Sequence, residues 1–79
     1  MKTHRLKIWP EHFAAVRAKL KLAELRYNDR GFCVGDLLQL QEFDPSVGFT
    51  GWEITKRVIH IAEVGSFYQS GWVLLSLAD

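Results

Sequence analysis

With 79 residues, the chain has room for a single domain, and a hydrophobic share of 48% with 13% aromatic excludes an intrinsically disordered segment. The formal net charge of +1 conceals an uneven spread: residues 1–30 carry eight Lys or Arg against three acids, net +5, and residues 31–79 carry two against six, net −4. A lone cysteine, Cys33, excludes an internal disulfide and suits a reducing compartment.

Residues 3–8 (THRLKI) read as a short strand. Trp9 precedes a proline and is biased toward extended backbone, and Pro10 suits the first turn of a helix, where its missing N–H is no loss. Glu11 favours the positive end of that helix, and Lys19 and Lys21 its close. Phe13, Val16 and Leu20 recur at helical spacing and predict an apolar face laid on a sheet. Residues 22–27 form the second strand, with Ala23, Leu25 and Tyr27 on one face and Leu22, Glu24 and Arg26 on the other.

Asn28-Asp29-Arg30-Gly31 and Val34-Gly35-Asp36 carry turn chemistry. Between them, Cys33 is expected to be a small buried residue. A third strand, Leu37–Phe43, alternates Leu38 and Leu40 with Gln39 and Gln41, and residues 44–48 form a hairpin loop. The fourth strand is expected from about Trp52 to Val64. Ile54 has one parity and Ile59 and Ile61 the other, which predicts a bulge near Lys56–Val58. Gly65-Ser66 opens a loop, and Gly71–Ala78 is a closing apolar strand.

One helix among short strands predicts an α+β, mainly β fold, a small barrel of about five to six strands, in a single domain over residues 1–79. Closure would remove the exposed sheet edges. No stretch approaches the roughly 20 apolar residues of a membrane helix, and the N-terminus lacks the pattern of a secretory signal, so a cytoplasmic location is expected. His4, His12, His60 and Cys33 have no zinc-site spacing, so no metal is expected, and the scattered glycines form no phosphate loop and imply no cofactor.

The stretch Lys19-Leu-Lys21-Leu-Ala-Glu24-Leu-Arg26 resembles the ASCH signature Gly-x-Lys-x-x-Glu-x-Arg, with Lys19 where glycine is usual. Around it stand His4-x-Leu6-Lys7-Ile8 and Pro10-Glu11-x-Phe13 before, then Asn28-Asp29-Arg30-x-Phe32-x-Val34-Gly35-Asp36, Leu40-x-Glu42 and Thr50-Gly51 after. In this order the chain is similar to a small bacterial and phage family within the ASCH group of the PUA-like superfamily. The resemblance implies a pseudo-barrel with one helix closing a cleft lined by the signature residues. It also implies binding of RNA, single-stranded nucleic acid or a nucleotide.

On that reading the candidate binding residues are Lys7, Lys21, Glu24, Arg26, Asn28, Asp29 and Arg30, with His4 as a further candidate on the first strand. Arg26 offers a planar fork for phosphate, carboxylate or a base edge. Lys21 is a mobile point charge for a phosphate or, if desolvated, a proton acceptor. Glu24 can hold Arg26 or accept from an exocyclic amine. Glu24 and Arg26 share a strand face, so Lys21 joins them only if the helix-to-strand junction breaks register, which is the expectation. Trp9, Trp52, Phe67, Tyr68 and Trp72 are aromatic faces on which a base can stack.

Two alternatives are kept. The first is an amidohydrolase on a modified nucleoside such as N4-acylated cytidine, with Lys21 and Glu24 as catalytic candidates. The amide-cleaving relatives carry threonine at the position of Glu24, and this chain has no hydroxyl there. The second is a protein-interaction domain of phage or bacterial origin, using exposed aromatics such as Trp52 or Phe67.

Overall fold

A computed structural model describes residues 1–79. Its elements are β1 (Thr3–Ile8), α1 (Pro10–Arg17), β2 (Ala23–Tyr27), β3 (Leu37–Asp44), β4 (Gly48–Glu63) and β5 (Trp72–Ala78). The strands form one sheet in the order β1-β3-β4-β5-β2. Only β1 and β3 run parallel; the other neighbours are antiparallel.

Strand β4, 16 residues long, is the spine. Residues Glu53–Arg57 pair with β3, and Arg57–Glu63 pair with β5, so the strand passes from one half of the sheet to the other. At the handover the register slips between Val58 and His60, leaving Ile59 as the extra residue. The bulge sits just beyond the predicted Lys56–Val58, and it returns Ile61 to the inner face while Ile59 faces solvent. An extra residue on one strand bends it and tightens the local twist, which curls the sheet into a half-barrel. β4 also begins earlier than predicted, at Gly48 rather than Trp52, because Phe43 pairs with Phe49 across the hairpin.

The core fills the concave side. Leu6 and Ile8 of β1, Leu38 and Leu40 of β3, Val58 of β4 and Val73, Leu75 and Leu77 of β5 meet Phe13 and Val16 of α1 and the loop residue Phe32. Fully buried side chains such as Leu38 and Leu40 are each worth about 1.5–3 kcal/mol. The helix is shorter than its apolar spacing predicts. It ends at Arg17, and Leu20 is 82% exposed rather than packed on the sheet. Cys33, expected inside, is exposed at the turn before β3. No helix is long and apolar enough to cross a membrane.

The barrel does not close as predicted. β1 and β2 are the two edges of the sheet, and the curl brings them to face each other across a seam without backbone pairing. The seam is what positions the candidate site.

Candidate functional site

The junction after α1 shapes one wall of the seam. The Lys19 N–H bonds to the Val16 carbonyl at 3.0 Å and the Leu20 N–H to that of Ala15 at 2.9 Å. This is the paired closure of a Schellman motif, which needs a left-handed residue just past the helix end. Lys19 takes that conformation, with φ of 60°, the one non-glycine residue in the chain to do so. The turn resets the register, so Lys21 lands beside Glu24 instead of opposite to it.

Glu24 is only 5% exposed although β2 borders the open edge. Its Oε1 lies 3.4 Å from Lys21 Nζ, and its Oε2 accepts from Arg26 Nε at 3.0 Å. A buried carboxylate is tolerable when cations and hydrogen bonds surround it, and here both signature cations do so. The strand's polarity is inverted: Glu24 and Arg26 are the more buried pair, while Leu25 and Tyr27 are largely exposed.

Two arginines span the seam. Arg26 Nη2 donates to the Lys7 carbonyl at 2.7 Å, and Arg30 Nη1 donates to the Arg5 carbonyl at 3.1 Å. These carbonyls are free because β1 presents alternate residues to β3: the Lys2 carbonyl bonds to the Leu37 N–H, so the odd-numbered carbonyls face the seam. An arginine fork thus takes the place of a missing strand partner on the edge.

Between these elements lies a hollow of about 520 Å³. Its polar lining is Lys7, Lys21, Glu24, Arg26, Asp29 and Arg30, together with His12; Trp9, Tyr27 and Trp72 supply aromatic surface. The first turn of α1 forms one wall through Trp9 and His12. Lys7 extends its ammonium to the rim, 4.4 Å above the Phe43 ring and 5.7 Å from that of Phe49, with no carboxylate in ion-pair range. Trp72 meets Tyr27 edge-on at 6.1 Å.

Two of the sequence candidates lie elsewhere. Asn28 accepts from the Phe32 N–H at 3.1 Å, a turn-closing role, and lines a neighbouring hollow with Glu63. His4, read as a strand residue beside the cleft, is buried: its Nε2 lies 2.8 Å from Asp36 Oδ2 and its ring meets Phe32 edge-on at 4.8 Å. The inward parity of β1 sends His4 into the core with Leu6 and Ile8.

Asp36 was legible only as a turn residue. Its carboxylate also accepts the backbone N–H groups of Lys2 and Cys33, each at 3.0 Å. The His4 hydrogen bond, then the Lys2 and Cys33 N–H groups, hold its pKa at about 2 against the upward pull of burial. At the opposite end of the chain Asp79 pairs with Lys56 and with Lys19 at 3.1 Å, and Lys56 first, then Lys19, lowers its pKa.

Fold and hollow together define a small, mainly β domain whose half-barrel seam is bridged by arginines over a buried, doubly paired carboxylate. The chain belongs to the family described as Domain of unknown function (DUF3850), whose model matches residues 3–77. No curated protein matches it.

Proposed function

We propose that this domain is an ASCH-type, PUA-like module that binds RNA, single-stranded nucleic acid or a nucleotide in its seam hollow, in a cytoplasmic setting. The observation that carries the reading is the meeting of Lys21, Glu24 and Arg26 at a solvent-reachable concavity, with Arg30 and Lys7 at its margin. Cations positioned over a low-dielectric wall attract phosphate, and Trp9 and Tyr27, 54% and 52% exposed, offer faces for an unstacked base. The positive φ of Lys19 supports the ASCH likeness, because that position is glycine in the signature.

The amidohydrolase alternative needs a nucleophile or an activated water beside Lys21. No serine, threonine or cysteine lines the hollow, and the Glu24 carboxylate is held by two cations. Binding without turnover is therefore the reading we adopt.

The test is a titration of the isotope-labelled chain with short single-stranded RNA and with free nucleotides, followed by amide chemical shifts. Binding should move residues 7–9, 21–27 and 29–30, and Lys21→Gln should weaken it. Unmoved spectra with every ligand, or shifts confined to the β3–β4 hairpin, would remove the assignment.

A further inference from the structure

We infer that the hollow takes one nucleotide bearing a terminal phosphomonoester, as a free nucleoside monophosphate rather than a running strand. This rests on the nucleotide-binding reading above and narrows it.

Charge favours a monoester. Lys7, Lys21, Arg26 and Arg30 line the hollow against Glu24 and Asp29, an excess of two positive charges. A phosphodiester within a strand brings a single negative charge. A phosphomonoester, with its second pKa near 6, brings roughly −1.5 to −2 at neutral pH. The monoester matches the excess; one internal diester leaves one positive charge unmatched.

The uncommitted donors point the same way. Arg26 commits its Nε and Nη2 to Glu24 and the Lys7 carbonyl. Lys21 makes one 3.4 Å contact, and Arg30 has one bond to the Arg5 carbonyl and a loose 3.9 Å approach to Asp29. Lys21 and Arg30 are thus the least committed cations inside the hollow, with Lys7 unpaired at its rim; Arg26, fixed through Nε and Nη2, keeps only Nη1 and acts chiefly as a positioning residue.

The surroundings of the hollow suit a single nucleotide better than a strand. A strand-binding groove needs a basic track along the backbone. On one side the hollow adjoins, through Trp72, a second depression whose only charged lining residue is Glu63. On the other, past Lys7 and Phe49, a third depression is lined by Glu42 and Glu53, and the cations near it, Lys7 and Arg17, are turned to its Phe49 and Trp52 rings at 5.7 Å. A polynucleotide leaving in either direction meets carboxylates. The open hollow, about 520 Å³, lies within the range of sites for one small ligand.

The test is calorimetric titration of the full chain with CMP, UMP, AMP and GMP, and with the matching nucleosides. Further arms are a dinucleotide, tetranucleotide and octanucleotide with hydroxyl ends and a 5′-phosphorylated tetranucleotide. At least one monophosphate is expected to bind about 10-fold or more tightly than its nucleoside, the gain of one charge-assisted contact set. Affinity should stay flat with oligonucleotide length. Arg30→Gln, and independently Lys21→Gln, should reduce the monophosphate to its nucleoside's affinity while far-ultraviolet circular dichroism stays unchanged. Equal binding of nucleoside and monophosphate, or affinity that climbs with length, would overturn the single-nucleotide inference and leave nucleic-acid binding standing. A 5′-phosphorylated tetranucleotide binding more tightly than the monophosphate would likewise overturn the free-nucleotide assignment. No binding by any of these ligands would overturn both readings.

Discussion

Arg26 reaches across the open seam to Lys7: its Nη2 donates to the Lys7 carbonyl at 2.7 Å while its Nε holds Glu24. One side chain therefore joins two sheet edges that share no backbone hydrogen bonds and at the same time compensates a buried carboxylate. Stability and site geometry are tied together at this residue, so a loss of binding on its removal has two causes that must be separated.

Replacing Arg26 with Met keeps the stem and removes the fork. Glu24 then retains only the 3.4 Å contact to Lys21. Losing charged hydrogen bonds beside a buried carboxylate is expected to cost about 2–3 kcal/mol. Urea denaturation measures the cost, and amide exchange should show β1 losing protection more than β4. Adding Glu24→Gln to Arg26→Met should restore about half of the loss, since no charge is then stranded. A double variant as unstable as the single would show that the seam bond, not the carboxylate, dominates.

Asp36 makes stability depend on pH at the acid end. Its folded pKa, held at about 2, lies below the ordinary 3.8, so the folded state favours the ionised form. The resulting stabilisation is fully present above the ordinary value and is lost as pH falls from about 4 through 2. The difference in urea midpoint between the native chain and Asp36→Asn should shrink as the pH is lowered from about 4 toward 2. A gap that widens toward pH 2 would contradict the assignment of the shift to this carboxylate.

Lys19 sits at a left-handed position that costs a residue with a Cβ about 1–2 kcal/mol. Its ion pair to Asp79 is exposed and worth little. Lys19→Gly should therefore raise stability, by about 0.5–1 kcal/mol after the greater flexibility of glycine in the unfolded chain is subtracted. Lys19→Ala keeps the strain and should give no gain. Thermal denaturation of the pair distinguishes relief of backbone strain from loss of the ion pair.

The same residue shows where sequence reading succeeds and stops. Pro10 announced the helix, and the alternation of Leu38 and Leu40 with Gln39 and Gln41 announced β3, because each pattern reports directly on local backbone or on a single buried face. Leu20 continues the apolar spacing of Phe13 and Val16, so the pattern runs past the helix end, which only the backbone sign at Lys19 sets. On β2 the two faces were legible but not which one turns inward. Hydropathy favours Leu25 and Tyr27, yet Glu24 and Arg26 go in, since they find partners on Lys21 and on a carbonyl of β1. The His4–Asp36 pair joins residues 32 apart, a contact no local pattern encodes. The first residues of β4 are exposed on both faces and carry no alternation, so no pattern in the sequence marks the start of the strand.

Gly71 couples the loop before β5 to the rim of the hollow. Its φ is +88°, and a Cβ there would lie 2.6 Å from Tyr27 Cε1. Two separate costs follow for Gly71→Ala: the left-handed backbone, about 1–2 kcal/mol, and displacement of the Tyr27 ring from its edge-on contact with Trp72, worth about 0.5–1.5 kcal/mol. The total should fall near 2–3 kcal/mol by urea denaturation, with the Asn28 N–H bond to the Gly71 carbonyl weakened. In a Tyr27→Ala background the ring term vanishes, so Gly71→Ala should cost only its backbone share there. An unchanged cost in that background would mean that the ring yields freely and that the glycine is required for its φ alone. Because Tyr27 lines the hollow, Gly71→Ala should also shift the Trp72 and Tyr27 resonances in a chain that remains folded at low temperature.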